Sequence, residues 1–124
     1  IDIYPTLCDL TGLAIPDSVE GSSLGPVLRD PHERIRDHLL FAYRHLHRGV
    51  RDQRHKLIEY NIDGTRTTQL FDLQVDPQET RDLSGDPSHA GNLARLREQL
   101  QLWRRDWGDT QEQGEKFWEG YGYS

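Results

Sequence analysis

Residues His45 to Tyr60 read HLHRGVRDQRHKLIEY and hold three histidines, three arginines and one of the chain's two lysines. Two kinds of chemistry suit such a stretch. His45 and His47, one residue apart, share a face if the backbone is a strand, and imidazoles on one face can ligate zinc. Zinc needs further ligands, and the spacing offers no third one, so imidazoles facing solvent or a substrate are the simpler reading. Arg48, Arg51, Arg54 and Lys56 offer the second chemistry, because a guanidinium fork donates in pairs to sulfate, phosphate or carboxylate. The plainer role for them is pairing with Asp52, Glu59 and Asp72 across neighbouring strands.

Two other groups invite the same question. Cys8 is the only cysteine, so it has no disulfide partner within the chain and no companions for a Cys-rich zinc site. It sits in an amphipathic helical pattern with no histidine nearby, which suits a small buried residue better than a nucleophile. The carboxylates of DLQVDPQE have the oxygen chemistry that calcium prefers, but not the spacing of an EF-hand loop. Turn and capping roles around Asp-Pro account for them. Chemistry alone finds no nucleophile paired with a base, no phosphate loop and no closed ligand set.

The elements that must position these groups are legible. In DIYPTLCDLTG, Asp2 suits an N-cap, Pro5 falls in the first turn, and Ile3, Leu7 and Leu10 share one helical face. Gly12 suits the position past the helix end. Residues 13–37 are rich in Gly, Pro, Ser and charge and read as a long connection. From 38 to 73 the period changes. HLLFAYRHL, HRGVRD, RHKLIEY and TTQLFDL are short strand-like runs, with turns expected at Asp52–Arg54 and Asn61–Gly64. In KLIEY, Leu57 and Glu59 point one way and Lys56, Ile58 and Tyr60 the other. Asp86 and Pro87 then open a helix over 88–107, whose Leu93, Leu96, Leu100, Trp103 and Trp107 recur at helical spacing. Residues 109–124 are polar and Gly-rich, with Phe117, Trp118, Tyr121 and Tyr123, and read either as a tail docked by its aromatics or as a loose end. The expected fold is α+β: a small antiparallel sheet of three to four strands packed against a long C-terminal helix, with a short N-terminal helix.

Composition bounds the partners. The chain has 124 residues, a length suited to one domain, and a net charge of -6. A negative field argues against general nucleic-acid binding, which rests on displacing phosphate counterions. No apolar run approaches the ~20 residues of a membrane helix, and no signal peptide is visible. The chain begins at Ile1 and contains no methionine, as an excised fragment would.

Three stretches together resemble the C-terminal part of sulfatases, sulfuric ester hydrolases of the alkaline-phosphatase-like superfamily. DIYPTLCDLTGL followed by GSSLGPVL is similar to the segment that leaves their large catalytic domain. RGVRDQRHKLIEY resembles their R-x-V-R-x-x-x-x-K-L-I hairpin, and LFDLQVDPQETRDL the strand and turn after it. The resemblance covers residues 1–107. It implies a helix and connector over 1–37 that belong to a catalytic domain and a sulfatase subdomain over 38–107 built as a four-stranded sheet on a long helix; residues 108–124 are a tail outside it.

In such an enzyme the nucleophile is a formylglycine made from C-x-P-S-R or S-x-P-S-R, beside a calcium ion. Neither motif is here, and CDLTG departs from it after Cys8, so no catalytic or metal role carries over. The resemblance implies a domain that is inactive by itself, buttresses the missing N-terminal catalytic domain and shapes the entrance for a sulfated small molecule or carbohydrate. It also implies a periplasmic or secreted setting. His45, His47 and Arg48 are the substrate-entrance candidates, while Arg51 and Lys56 match the motif and belong to the sheet. Where the helix has lost its wall, either self-association through residues 1–12 or poor order of that segment is expected. The rival readings are the same segment of a phosphoester or phosphonate ester hydrolase, and a free-standing interaction module.

Overall fold

The computed structural model describes residues 1–109, 112–119 and 121. The chain divides into two compact units, Ile1–Asp37 and His38–Ser124.

The first unit is built on helix α1 (Ile3–Thr11), which closes at Gly12 with φ 71°. Asp2 stands at the N-cap position, but its carboxylate does not cap the helix. It accepts instead from the Ser22 N–H at 3.0 Å and from Arg36 Nη2 at 2.7 Å. Thr6 and Asp9 likewise reach the returning chain: Thr6 Oγ1 accepts from Leu24 N at 2.9 Å, and Asp9 Oδ2 from Ser23 Oγ at 2.6 Å. Short polar side chains thus fasten residues 22–36 to the helix. The connection expected over 13–37 contains one brief helix, α2 (Gly25–Arg29), with Pro26 in its first turn. Pro5, Thr6 and Cys8 are buried, whereas Ile3, Leu7 and Leu10 share the exposed face.

The second unit is a four-stranded antiparallel meander in the order β1 (Leu39–Tyr43), β2 (His47–Arg51), β3 (His55–Ile62), β4 (Thr65–Asp72). The β3–β4 turn is Asp63–Gly64, with φ 50° and 79°. Positive φ at both central residues is the tight hairpin geometry that follows strand twist. Asn61, expected in that turn, lies inside β3. The β2–β3 turn is held by Asp52 Oδ1, which accepts from the N–H groups of Arg54 (2.8 Å) and His55 (2.6 Å).

Register puts Val50, Leu57 and Leu70 side by side, and Arg48, Glu59 and Thr68 in the next file on the same face. Helix α3 (Ala90–Asp106) lies over that face, led in by a 3-10 turn over Pro87–His89 that Asp86 caps through Ser88 N. Leu96 and Leu100 are buried against Val50, Leu57 and Leu70, and half-buried Leu93 packs beside them. Trp107 departs from the expected stripe. It is 59% exposed and stacks on half-buried Trp103, ring centroids 4.7 Å apart. Both indoles border a hollow beside Leu40, Phe41 and Ala42 of β1, the edge strand, beyond which there is no sheet left to cover.

Residues 112–118 form a further helix, α4 (Glu112–Trp118), which the sequence reading did not expect. Phe117 and Trp118 are buried in the same core, and Tyr121 packs against it. The aromatics 117, 118 and 121 are docked; Tyr123 lies outside the described residues.

Candidate functional site

The basic hairpin does not converge on one point. His45 is not on a strand. It sits in the turn between β1 and β2, so it shares no strand face with His47, as a paired ligand set on one strand would require. His47 is on the face away from α3, half-buried between Tyr43 (5.8 Å between centroids) and Tyr60 (4.8 Å). Arg48, one residue on, necessarily points to the opposite face.

Arg48 is only 5% exposed. Its Nε and Nη2 form a fork onto Asp109, at 2.6 and 2.9 Å. Nη1 donates to the carbonyls of Arg44 (2.6 Å) and His47 (2.8 Å), and the guanidinium lies 4.8 Å over the Phe117 ring. Trp118 Nε1 donates to the same Asp109 at 2.7 Å. A charge buried so deeply is tolerable only when its partner and hydrogen bonds are complete. Arg48 therefore clamps the hairpin to the α3–α4 connection.

The other basic residues are largely paired, as the plainer reading held, but with other partners. Arg54 does meet Asp72, at 2.8 Å. Lys56 reaches Glu79 at 2.7 Å, while Asp52 and Glu59 are taken by Arg95 and Arg97 of α3. Arg51 and Lys56 are sheet residues on the face of His47, where the Phe41 ring lies directly over Gly49 and no side chain would fit.

The acids of LFDLQVDPQETRDL hold backbone. Asp76 accepts from Arg81 N and Thr80 N, both at 2.8 Å, and these bonds hold its carboxyl below the usual range. Asp82 accepts from Leu70 N and Ser84 N; burial pushes its pKa up, but these hydrogen bonds outweigh it and the net shift is down. Among the described residues no group of three or more His, Cys, Asp or Glu is placed to hold a metal. The residues present do not fit a calcium site, and Cys8 is buried within α1.

Two features escaped the sequence reading. His55 is buried with Nε2 unpartnered, 3.9 Å from Asp72 Oδ2. Burial lowers its pKa, and the nearby Asp72 and Asp52 only partly oppose this. The second is a polar hollow of about 310 Å³ at the other end of the hairpins, lined by His45, Asn61, Asp63, Gly64, Arg66, Lys116 and Glu119. No spacing signal links 45, 66 and 116; the meander and α4 bring them together.

The comparisons with known proteins bear on this arrangement. Residues 1–106 match the family model described as N-sulphoglucosamine sulphohydrolase, C-terminal. The chain belongs to this sulfatase C-terminal family. The sulfatase domain is 33% identical over 105 residues to a Delta 4,5-hexuronate-2-O-sulfatase of Bacteroides thetaiotaomicron, a match covering 78% of this chain and 21% of that protein. A solved structure in complex with its substrate D-glucosamine-2-N,6-O-disulfate superposes with a TM-score of 0.70 at 25% identity, over 93% of this chain and 25% of that one. The phosphonate monoester hydrolase of Agrobacterium radiobacter follows with 0.58 at 26% identity, over 84% and 24%. The sulfatase domain thus spans about a quarter or less of these relatives' length. Among its described residues, no helix is long and apolar enough to cross a membrane.

Proposed function

We propose that this domain is the C-terminal lobe of a complete sulfuric ester hydrolase, inactive alone, which buttresses the catalytic domain and frames the substrate entrance. One observation carries the reading. The R-x-V-R-x-x-x-x-K-L-I stretch folds as a hairpin whose Arg48 is spent internally on Asp109, which fixes the turn bearing His45. His45 and His47 then supply the entrance surface, and Arg48 positions them. Residues 1–37 belong with the catalytic domain, 38–107 form the subdomain and 108–124 close it. The nucleophilic formylglycine and the calcium ion are supplied by that catalytic domain, as the family implies. The substrate is a sulfated saccharide, in line with what the relatives act on.

The test joins this chain to its upstream coding sequence and assays sulfate ester hydrolysis. His45→Ala is expected to raise KM several-fold with little change in kcat. Unchanged kinetics would remove His45 from the entrance. A complete enzyme that cleaves phosphonate monoesters in preference to aryl sulfates would select the alternative, which the likeness to the Agrobacterium hydrolase favours.

A further inference from the structure

The sheet has two edges, and the fold treats them differently. Along β4 the returning chain closes the edge. Leu70 N donates to Asp82 Oδ1 at 3.0 Å, Leu70 O accepts from Leu83 N at 2.8 Å, and Thr68 O accepts from Ser84 Oγ at 3.0 Å. Strand β1, at the other end of the order, has no such cover among the described residues.

Register shows which groups are bare. The bonds Asn61 N to Leu46 O and Asp52 N to His55 O turn the even-numbered residues of β2 towards β3. The odd-numbered residues of β2 therefore face β1. Leu40 and Ala42, opposite Val50 and Arg48, point their N–H and C=O groups outward. Bare edges are normally blunted by lysine, proline, a bulge or a covering segment. Leu39–Tyr43 reads LLFAY and carries no charge and no proline. Leu39 and Tyr43 are exposed, and the overhang of α3 leaves a hollow of about 180 Å³ between Trp103, Trp107 and the edge strand.

A second copy of the same strand fits this edge. Antiparallel pairing about a two-fold axis at Phe41 sets Leu40 opposite Ala42 of the second copy, and Ala42 opposite its Leu40. Both members of each pair have outward groups, so each pair exchanges both its hydrogen bonds. An axis on Leu40 or on Ala42 keeps only one such pair within the strand. The ends agree in charge as well. Exposed Asp37 precedes the strand and exposed Arg44 follows it, so antiparallel pairing brings the acidic end of one strand to the basic end of the other. On the α3 face large meets small, and Leu40 of the second copy comes to the mouth of the hollow beside Ala42.

We propose that β1 is a self-pairing edge, through which two copies of the chain join Leu39–Tyr43 antiparallel about Phe41 into one continuous sheet, with Leu40 and Ala42 supplying the bonding groups. The contact is one strand wide, below the size of a permanent interface, so pairing deepens with concentration. It concerns assembly and does not rest on the sulfatase reading.

The experiment follows amide hydrogen exchange and sedimentation of the 124-residue chain carrying Leu7→Asp, which removes the exposed face of α1 as a rival contact. Strand β2 already protects the amides of Leu39, Phe41 and Tyr43 in the monomer. Only those of Leu40 and Ala42 should slow as concentration rises, in step with a monomer–dimer equilibrium. Ala42→Pro removes an outward N–H and no bond to β2, so the ladder survives. It should weaken the dimer about thirtyfold, for the two symmetry-related bonds lost. Leu39→Lys, at a residue 46% exposed, brings a cation near Arg44 of the second copy and should also weaken pairing while leaving the fold intact. A chain that is monomeric at every concentration, or a dimer that keeps its affinity in both variants, overturns the proposal. So do Leu40 and Ala42 amides protected equally at all dilutions, which would show another segment closing the edge. The chain joined to its upstream coding sequence should pair in the same way; a monomer there overturns it too.

Discussion

Glu59 is fully buried in the sheet and is met by Arg97 of α3, whose Nε donates to its Oε1 at 2.7 Å. Thr68 Oγ1 donates to the other carboxylate oxygen at 2.6 Å and accepts from Arg97 Nη2 at 3.0 Å. A closed triangle of three side chains thus pins the helix to two strands through the middle of an apolar face. Removing one corner leaves a charge with nowhere to go. Arg97→Ala is expected to cost about 3 kcal/mol in a urea melt, while the paired change Glu59→Leu with Arg97→Leu costs far less. A single mutant within about 0.5 kcal/mol of the parent would show that water reaches Glu59.

The two ends of the α3 stripe should respond differently. Leu96 is wholly buried, so Leu96→Ala should lose ~2–5 kcal/mol. Trp107, out over the edge strand, should lose less than about 1 kcal/mol as alanine. Similar losses at both positions would mean that Trp107 has a cover in solution.

Tyr121 gives the fold an alkaline limit. Burial first, and Glu59 second, push its phenol up to about 12 from an ordinary 10.0. Its hydroxyl donates to Tyr60 O at 2.6 Å, a bond only the neutral form can make. The folded state holds this proton more tightly than the unfolded state. Its contribution is therefore complete below pH 10 and is lost as pH rises from 10 towards about 12. Tyr121→Phe should flatten that part of a stability–pH curve.

His55 works on the acid side. Its pKa is lowered from 6.5, chiefly by burial, so the folded protein prefers the neutral ring. Stability is complete above pH 6.5 and declines as pH falls below it, because the unfolded chain then takes up a proton that the fold resists. His55→Gln should remove the slope just below 6.5. It should leave the lower slope, where Asp52, Asp72 and Asp76, all with lowered pKa, must be protonated.

Helix α1 presents Ile3, Leu7 and Leu10 to solvent, with Leu7 55% exposed. Such a stripe favours self-association. Leu7→Asp should raise the monomer fraction in sedimentation velocity with little loss of stability. A large loss in a monomer would place Leu7 in a core.

The sheet was readable because period-two alternation and turn residues act locally: Leu57 and Glu59 on one face, and Gly64 closing a hairpin, need no knowledge of the rest. The α3 stripe was readable for the same reason, although where it outruns the sheet was not. Helix α4 has no such period in EQGEKFW; its place comes from Asn61 and from the Arg48–Asp109 clamp. The partners of the basic hairpin were illegible for a related reason. Charge pairing across strands is local, and Arg54 with Asp72 follows it. Asp109, however, lies 61 residues from Arg48, and nothing in the spacing announces it. His45 misled because a strand was assumed where the chain turns.

The clamp also orders events in time. The hairpin bearing Arg48 is made 61 residues before its counter-charge at Asp109, and the rings of Phe117 and Trp118 follow later still. Until those residues leave the ribosome, the sheet carries an unanswered positive charge at one end and an open apolar seat at the other side of it. The nascent hairpin is thus a waiting surface, open to chaperones and to mispairing along edge strand β1, and the domain locks only when Asp109, Phe117 and Trp118 arrive.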